Sequence, residues 1–567
     1  MPRLAAVTPA CTDAIRTNQR PIGGANRDPS PPVTNLQFST REEARYGLQR
    51  SVVIVAQEHR PAIRVLPDRC IASRTDGASL ARIIAAAVPV FSVPYILFYR
   101  LVLYHFYVRG SFLVDTGLLG SLMWRNTFAL NMPASLGGQS FYAIHAAPLL
   151  SLVSAISFAL PVTMPQMLAG FIGVSHGLLA LAMFWLLVEG HGMRRGWPLG
   201  LAALASTVFA FNGLAIAIAR YPHFEIFGAA CLLLFFVALV LERWAIAIVS
   251  LLLALATRED FGLHAFGFLT VWLAVNWLRS VSKSQKAGHN SWLASFAAVA
   301  LIYSIIALLS QHWEFPASSS FVRIYLGQPA FSHVSWSLLA MHGFGWIMIH
   351  SAILLPAAAI LVWAERTRDP FIIAGYVACI PWTLLHLFAV SDHAGWMVGY
   401  YAFPFLIAMA WPMLAHVEPG ARVPVGSLRP AFLVLGLVAL SLLPISPDFD
   451  PGKIPLPGAF LHAPSAEQQR QTDRALLAIA AARPMLGRLM VDGSVAALMP
   501  HAFPADEIPG LGAEGHANTV VFFEDGFDSA TLGAVPDLPV HFAVPGTEIR
   551  IMTDRPESIL RETQIPR

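Results

Sequence analysis

Phe112-Leu113-Val114-Asp115-Thr116-Gly117 decides how this chain is read. The stretch follows the first long apolar segment, Leu80 to Tyr104, and puts a carboxylate at a membrane–water boundary. Asp115 has no basic neighbour in sequence. An unpaired acid at that depth is costly, so its default reading is functional. The question that follows is which other polar residues reach the same membrane face.

Composition sets the class. Of 567 residues, 56% are hydrophobic and 13% are charged. Mean hydropathy is +0.59. Soluble domains carry about 25% charged residues. The chain therefore reads as a polytopic membrane protein, not as a globular enzyme with one anchor. A net charge of +3 is too small to draw nucleic acid, so membrane lipid is the expected surroundings. Cys11 and Cys70 lie in the N-terminal arm, and Cys231 and Cys379 in apolar segments. No disulfide framework is implied in the tail, and no internal repeat is visible.

Residues 1–78 are rich in Arg, Pro, Ser and Thr and read as a disordered cytoplasmic arm. Leu80–Tyr104 has the length to cross a hydrocarbon core of ~30 Å. A polar and aromatic loop follows, His105 to His145, with Asp115, Trp124, Arg125, Asn126, Gln139 and His145. The next apolar run, Ala146–Pro161, is short. Met164–Val188 then ends at Gly192-Met193-Arg194-Arg195, and basic residues mark the cytoplasmic side. If Leu80–Tyr104 runs outward and Met164–Val188 runs inward, Ala146–Pro161 does not cross. It is expected as a juxtamembrane helix in an outer loop spanning 105–163.

The later spans alternate: Pro198–Ala219, Phe224–Leu241, Trp244–Thr257, Phe261–Leu278, Trp292–Ser310, Ser337–Ala364, Phe371–Val390, Met397–Leu414 and Pro430–Leu443. That gives about eleven transmembrane helices over residues 79–445. The N-terminus is expected in the cytoplasm and the C-terminus outside the plasma (inner) membrane. Residues 446–567 read as a separate extracytoplasmic unit. Ala475–Ala482 is expected as a helix, and Arg488–Val491 and Thr519–Phe523 as strands. The fold class is an all-α multi-pass bundle with a small C-terminal α/β domain.

The outer ends of several hairpins carry the polar clusters. Asp115 and His145 are the first, and Arg220-Tyr221-Pro222-His223-Phe224-Glu225 is the second. Arg258-Glu259-Asp260, with His264 one turn on, is the third; Ser391-Asp392-His393 with Tyr400 and Tyr401 is the fourth. Polar groups converging on one face suggest an outward-opening site. The bland reading is that Arg258 pairs with Glu259 or Asp260 and caps a short helix. Ser391-Asp392-His393 is adjacent in sequence, which is not triad geometry. The chain has no phosphate-binding glycine loop, zinc pattern or HExxH motif.

These residues carry a resemblance. Asp115-x-Gly117 after the first span, His145 shortly before Pro148, His223-x-Glu225 and the basic-Glu-Asp of Arg258, Glu259 and Asp260 resemble the membrane family called domain of unknown function 2079. The similarity runs from about residue 80 to 420, with a further trace over Arg488–Glu524. Where that family has Phe-Asp-Leu-Gly, this chain has Val114-Asp115-Thr116-Gly117. Where it has an Asp before the His, this chain has Ile144. That family is in turn similar to the GT-C class of integral-membrane glycosyltransferases.

The resemblance implies sugar transfer from a polyprenyl-phosphate donor to an envelope acceptor at the outer face. Asp115 would be the general base on the acceptor hydroxyl. Arg258 and Arg220 would hold the donor phosphate, with His145, His223, Glu225, Glu259 and Asp260 completing the substrate site. A divalent metal on His223, Glu225 or Asp260 is compatible with mixed His and carboxylate ligands. Two other readings use the same spans: a lipid or small-solute transporter (flippase), and a non-catalytic scaffold. Against the transporter, polar residues cluster on one face, and no paired broken helices stand out in matching halves.

Overall fold

The computed structural model describes residues 77–109, 119–120, 122–123, 128–132, 139–219, 223–280, 287–315, 322–417, 428–443, 463–504, 507–508, 516–523 and 538–556. The expected N-terminal arm up to residue 76 lies outside the described residues, as do Trp124, Arg125, Asn126, Cys11 and Cys70.

The described chain is mostly helical. Helix α1 spans Gly77–Tyr104 and widens into a π-turn over His105–Arg109. The short apolar helix α2, Pro148–Ala159, follows the loop after α1. At 12 residues it is about 18 Å long, too short to cross. Helix α3, Met164–Trp185, starts at a capping box in which Thr163 and Gln166 satisfy each other's backbone N–H groups. Helices α4 (Gly196–Phe209) and α5 (Gly213–Ala219) form one apolar run bent by 44°. The Asn212 side chain accepts from Leu214 and Ala215 N–H at that break and donates to the Phe209 carbonyl. A broken backbone buried in a bundle is tolerated when its groups find such partners.

Helix α6, Glu225–Val240, is buried almost all round and is the axis of the bundle. Around it lie α7 (Trp244–Leu255), α8 (Phe261–Ser280), α9 (Ala287–Glu314), α10 (Trp336–Ile349), α11 (Ser351–Thr367), α12 (Ala374–Leu387), α13 (Pro404–Ala415) and α14 (Arg429–Ser441). Among the described residues, five helices are long and apolar enough to cross a membrane. Counting each bent pair as one span raises this to eight. The expected eleven is reached only if α6, α7 and α14, shorter apolar helices, also cross. Three expected spans are broken: Pro198–Ala219 by 44°, Met397–Leu414 by 48° before Pro404, and Ser337–Ala364 most sharply. Ser337–Ala364 is not a single helix: α10 and α11 meet at 81° at His350.

Tryptophans mark two levels. Trp197, Trp277 and Trp292 are exposed near the starts of α4 and α9 and the end of α8. Trp313 and Trp336 are exposed at the end of α9 and the start of α10. Interfacial belts of this kind are where an amphipathic ring is most stable.

The tail folds as helix α15 (Ala466–Ala481) and a four-stranded sheet of β1 (Leu489–Val491), β2 (Thr519–Phe523), β3 (Val540–Ala543) and β4 (Ile549–Thr553), with helix α16 (Gly493–Leu498) after β1. The strand order is β1-β2-β4-β3, parallel between β1 and β2 and antiparallel elsewhere. Asp492 caps α16 through Val495 N–H and also accepts from Phe523 N–H, so one carboxylate ties helix to sheet. The expected strands appear as β1 and β2 and the expected helix within α15, while β3 and β4 add to them.

Candidate functional site

Two close helix approaches build the site. The Phe261 ring occupies the place a Cβ at Gly228 would take, so the start of α6 lies against the start of α8. Gly262 likewise admits the Ala300 carbonyl and the Ser304 hydroxyl of α9. The turn between α7 and α8, carrying Arg258, Glu259 and Asp260, is thereby pressed against α6 and α9.

Arg258 is the centre. It is buried, 3% exposed. Its guanidinium forks onto Asp260: Nε donates to Oδ1 at 2.8 Å and Nη2 to Oδ2. Nη1 donates to Glu225 Oε1 on α6. Phe403 lies under the guanidinium, 5.8 Å from centroid to carbon. Glu225 is the first residue of α6, where the positive end of the helix dipole favours a carboxylate. Its other oxygen pairs with His223 Nδ1, and the His223 ring stacks on Tyr400 at 4.3 Å. Breaking such a buried network costs more than forming it gains, because a charge is left bare.

Glu259 points the other way. Oε1 is 2.9 Å from His145 Nδ1, and Oε2 accepts the Ala146 N–H at 2.8 Å. Leu149 N–H donates to the Ala256 carbonyl at 2.8 Å, which docks the start of α2 on the same turn. Ser304 donates to the Glu259 carbonyl. His264 Nε2 lies 3.8 Å from Asp260 Oδ2, beyond hydrogen-bond range, with its ring edge-on to Trp382.

A cavity of about 40 Å³ opens against this cluster. His145, Arg258, Glu259 and Asp260 line its polar side, and Tyr325, Trp382 and Tyr401 its aromatic side. Its size suits a small group such as a water, so it is the floor of a site and not a complete sugar pocket. Tyr325 and His386 are hydrogen-bonded at 3.2 Å, and His386 Nδ1 donates to the Ala394 carbonyl.

The chain is similar to the solved structure described as the crystal structure of ArnT from Cupriavidus metallidurans bound to undecaprenyl phosphate. Sequence identity is 12%, the TM-score is 0.43, and the match covers 84% of this chain and 98% of that one. No protein-family model matches the sequence. No curated protein matches it either.

Six of the eight residues singled out from sequence thus meet: His145, His223, Glu225, Arg258, Glu259 and Asp260. Asp115 and Arg220 lie outside the described residues. The fourth polar cluster splits. Tyr400 and Tyr401 face the site, whereas Ser391 accepts the Ala394 N–H and Asp392 pairs with His342. It forms no Ser/His/Asp relay. A metal on His223, Glu225 or Asp260 fits poorly, because Arg258 already bonds both carboxylates. Among the described residues no three His, Cys, Asp or Glu side chains converge as ligands. Sequence reasoning missed Tyr325, Trp382 and Ser304. Aromatic and hydroxyl residues are ordinary in apolar helices and give no signal there.

Proposed function

We propose that the protein is a GT-C-like membrane glycosyltransferase, working at the outer face of the inner membrane. It would move a sugar from a polyprenyl-phosphate-linked donor to an envelope acceptor. The observation that carries the proposal is the cavity bounded by Arg258, His145 and an aromatic wall at one end of an apolar bundle. A lipid-linked donor keeps its tail in the bilayer, so its phosphate must be met near the surface.

Arg258 has five N–H groups, of which three are bonded to Asp260 and Glu225 among the described residues. The other two are available for the donor phosphate. Two carboxylates already balance its charge, so it offers directed hydrogen bonds, and the proposal assigns the extra positive charge to Arg220. Asp115 takes the proton from the acceptor hydroxyl. The hydroxyl oxygen bonds to the anomeric carbon as the bond to the phosphate oxygen breaks, and polyprenyl phosphate leaves with the electron pair. Tyr325, Trp382 and Tyr401 provide faces on which a sugar ring can stack.

The test compares sugar transfer from a lipid-linked donor by the wild type and by Asp115→Asn, with expression and folding matched. Loss of a general base lowers turnover by roughly 10²–10⁴-fold and leaves donor binding nearly unchanged. Equal transfer by both proteins removes the reading. One observation favours a transporter instead: three helix pairs are bent by more than 40° at short breaks. Broken helices line many transport sites. That reading predicts lipid or solute flux in vesicles and no sugar-transfer product in either protein.

A further inference from the structure

Helix α10 presents a face that no part of the described chain covers. Trp336, Met341, Phe344, Ile347 and Met348 are exposed along one stripe, Trp336 at 87% and Phe344 at 68%. Their spacing follows helical repeat. The helix, WSLLAMHGFGWIMI, contains no Asp, Glu, Lys or Arg. Its opposite face is fixed to the bundle. His342 is fully buried, with Nδ1 3.0 Å from the Leu387 carbonyl and Nε2 3.3 Å from Asp392. The Trp396 indole fills the place a Cβ at Gly345 would take. At the hinge, His350 Nε2 donates to the Trp396 carbonyl.

Direction distinguishes the occupants of the stripe. Helix α11 is a 17-residue apolar helix, and α10 meets it at 81°. If α11 stands across the bilayer, α10 lies in its plane. The level follows from the neighbours. Leu387 ends α12, whose His386 bonds the cavity residue Tyr325, so α10 sits at the cavity end of the bundle. Trp336 opens α10, and the other tryptophan exposed at that end, Trp313, closes α9. A belt of tryptophan marks the headgroup boundary.

We infer that α10 is an interfacial helix whose Trp336–Phe344–Ile347 stripe is immersed in lipid acyl chains just below the headgroups, at the membrane face that holds the cavity. The partner is the lipid surface itself. Such helices bury their apolar face about 5–10 Å into the headgroup–acyl boundary. The inference does not rest on the proposed sugar transfer.

The test uses the full chain in lipid nanodiscs with single nitroxide labels at Phe344 and at Met348. Reference labels sit at Ile305, exposed in the middle of α9, and at Glu467, exposed on α15. Collision rates with oxygen and with a neutral nickel chelate are compared. At Phe344 and Met348 the oxygen-to-nickel ratio is expected to be severalfold above that at Glu467 and below that at Ile305. A ratio equal to that at Glu467 would put the stripe in water and overturn the inference. Exclusion of both reagents would mean that protein covers it, and would overturn it equally. Since no catalysis is read, either result leaves the proposed activity untouched.

Discussion

At the scale of the residue, Arg258 serves two purposes that a single substitution confounds. Arg258→Ala strips the partner from Glu225 and Asp260, both buried. The expected cost is about 3–5 kcal/mol of stability, read as a lowered unfolding midpoint in detergent. Arg258→Lys keeps a charge and loses the fork. It should remain folded while weakening donor binding by about 1.5–3 kcal/mol. Unchanged donor affinity in folded Arg258→Lys would leave Arg258 as a structural ion-pair member, the bland reading of its sequence context. The cluster was legible because charges are rare in this chain, and rare charges at helix ends stand out. Its pairing was legible in part: of the two neighbours the sequence offered, Asp260 does take Arg258, whereas Glu259 holds His145 and the loop, and Glu225 arrives from another helix.

At the scale of the element, helix positions followed apolar run length closely, while breaks did not. His350 interrupts an unbroken apolar stretch with no proline at the break; it bonds the Trp396 carbonyl, and His342, two turns earlier, bonds Asp392, both partners from elsewhere in the chain. Tertiary partners of this kind leave no local mark. The tail shows the same limit, since β3 and β4 are short and their pairing is non-local. It also holds a testable carboxylate. Burial pushes Asp492 up to about 7 against the pull of the backbone N–H groups it accepts. A folded pKa above the unfolded one means the fold binds the extra proton. The stabilisation is then complete below the unfolded pKa of 3.8 and is lost as pH rises through about 7. Hydrogen exchange of β1 and α16 in the intact protein should quicken between about pH 4 and 7 beyond the intrinsic chemical trend, the window in which the folded and unfolded states bind different numbers of protons. Asp492→Asn should flatten this extra dependence; an identical pH profile for both proteins would remove Asp492 as its source.

At the scale of the whole molecule, the tail is tied to the top of the first span. The Tyr107 hydroxyl donates to Asp473 at 3.2 Å, and Gln166 at the start of α3 donates to Gln469 at 3.4 Å. Burial raises the Asp473 carboxyl to about 6. A tail bonded at Tyr107 must lie on the membrane side where the first span ends and the outer loop begins. Cysteines placed at Gln139 and at Ala513 should therefore react with the same impermeant reagent from the same side of sealed vesicles. Labelling from opposite sides would break the topology that arginine positions suggested. That topology rests on the charge rule alone, and the labelling experiment is its test. The count of spans is less legible, because α6, α7 and α14 are short for a crossing and three of the apolar runs bend.

The shortest of these, α7, has a consequence for the bilayer itself. Its lipid-facing residues Ile246, Val249 and Leu252 belong to a helix of 12 residues, about 18 Å long, beside a hydrocarbon layer of ~30 Å. Lipids next to a short apolar surface thin to match it. The headgroup plane is then drawn down toward the turn that carries Arg258. On the proposed function, a lipid phosphate drifting into that dimple would descend with its neighbours and meet the guanidinium without leaving the leaflet.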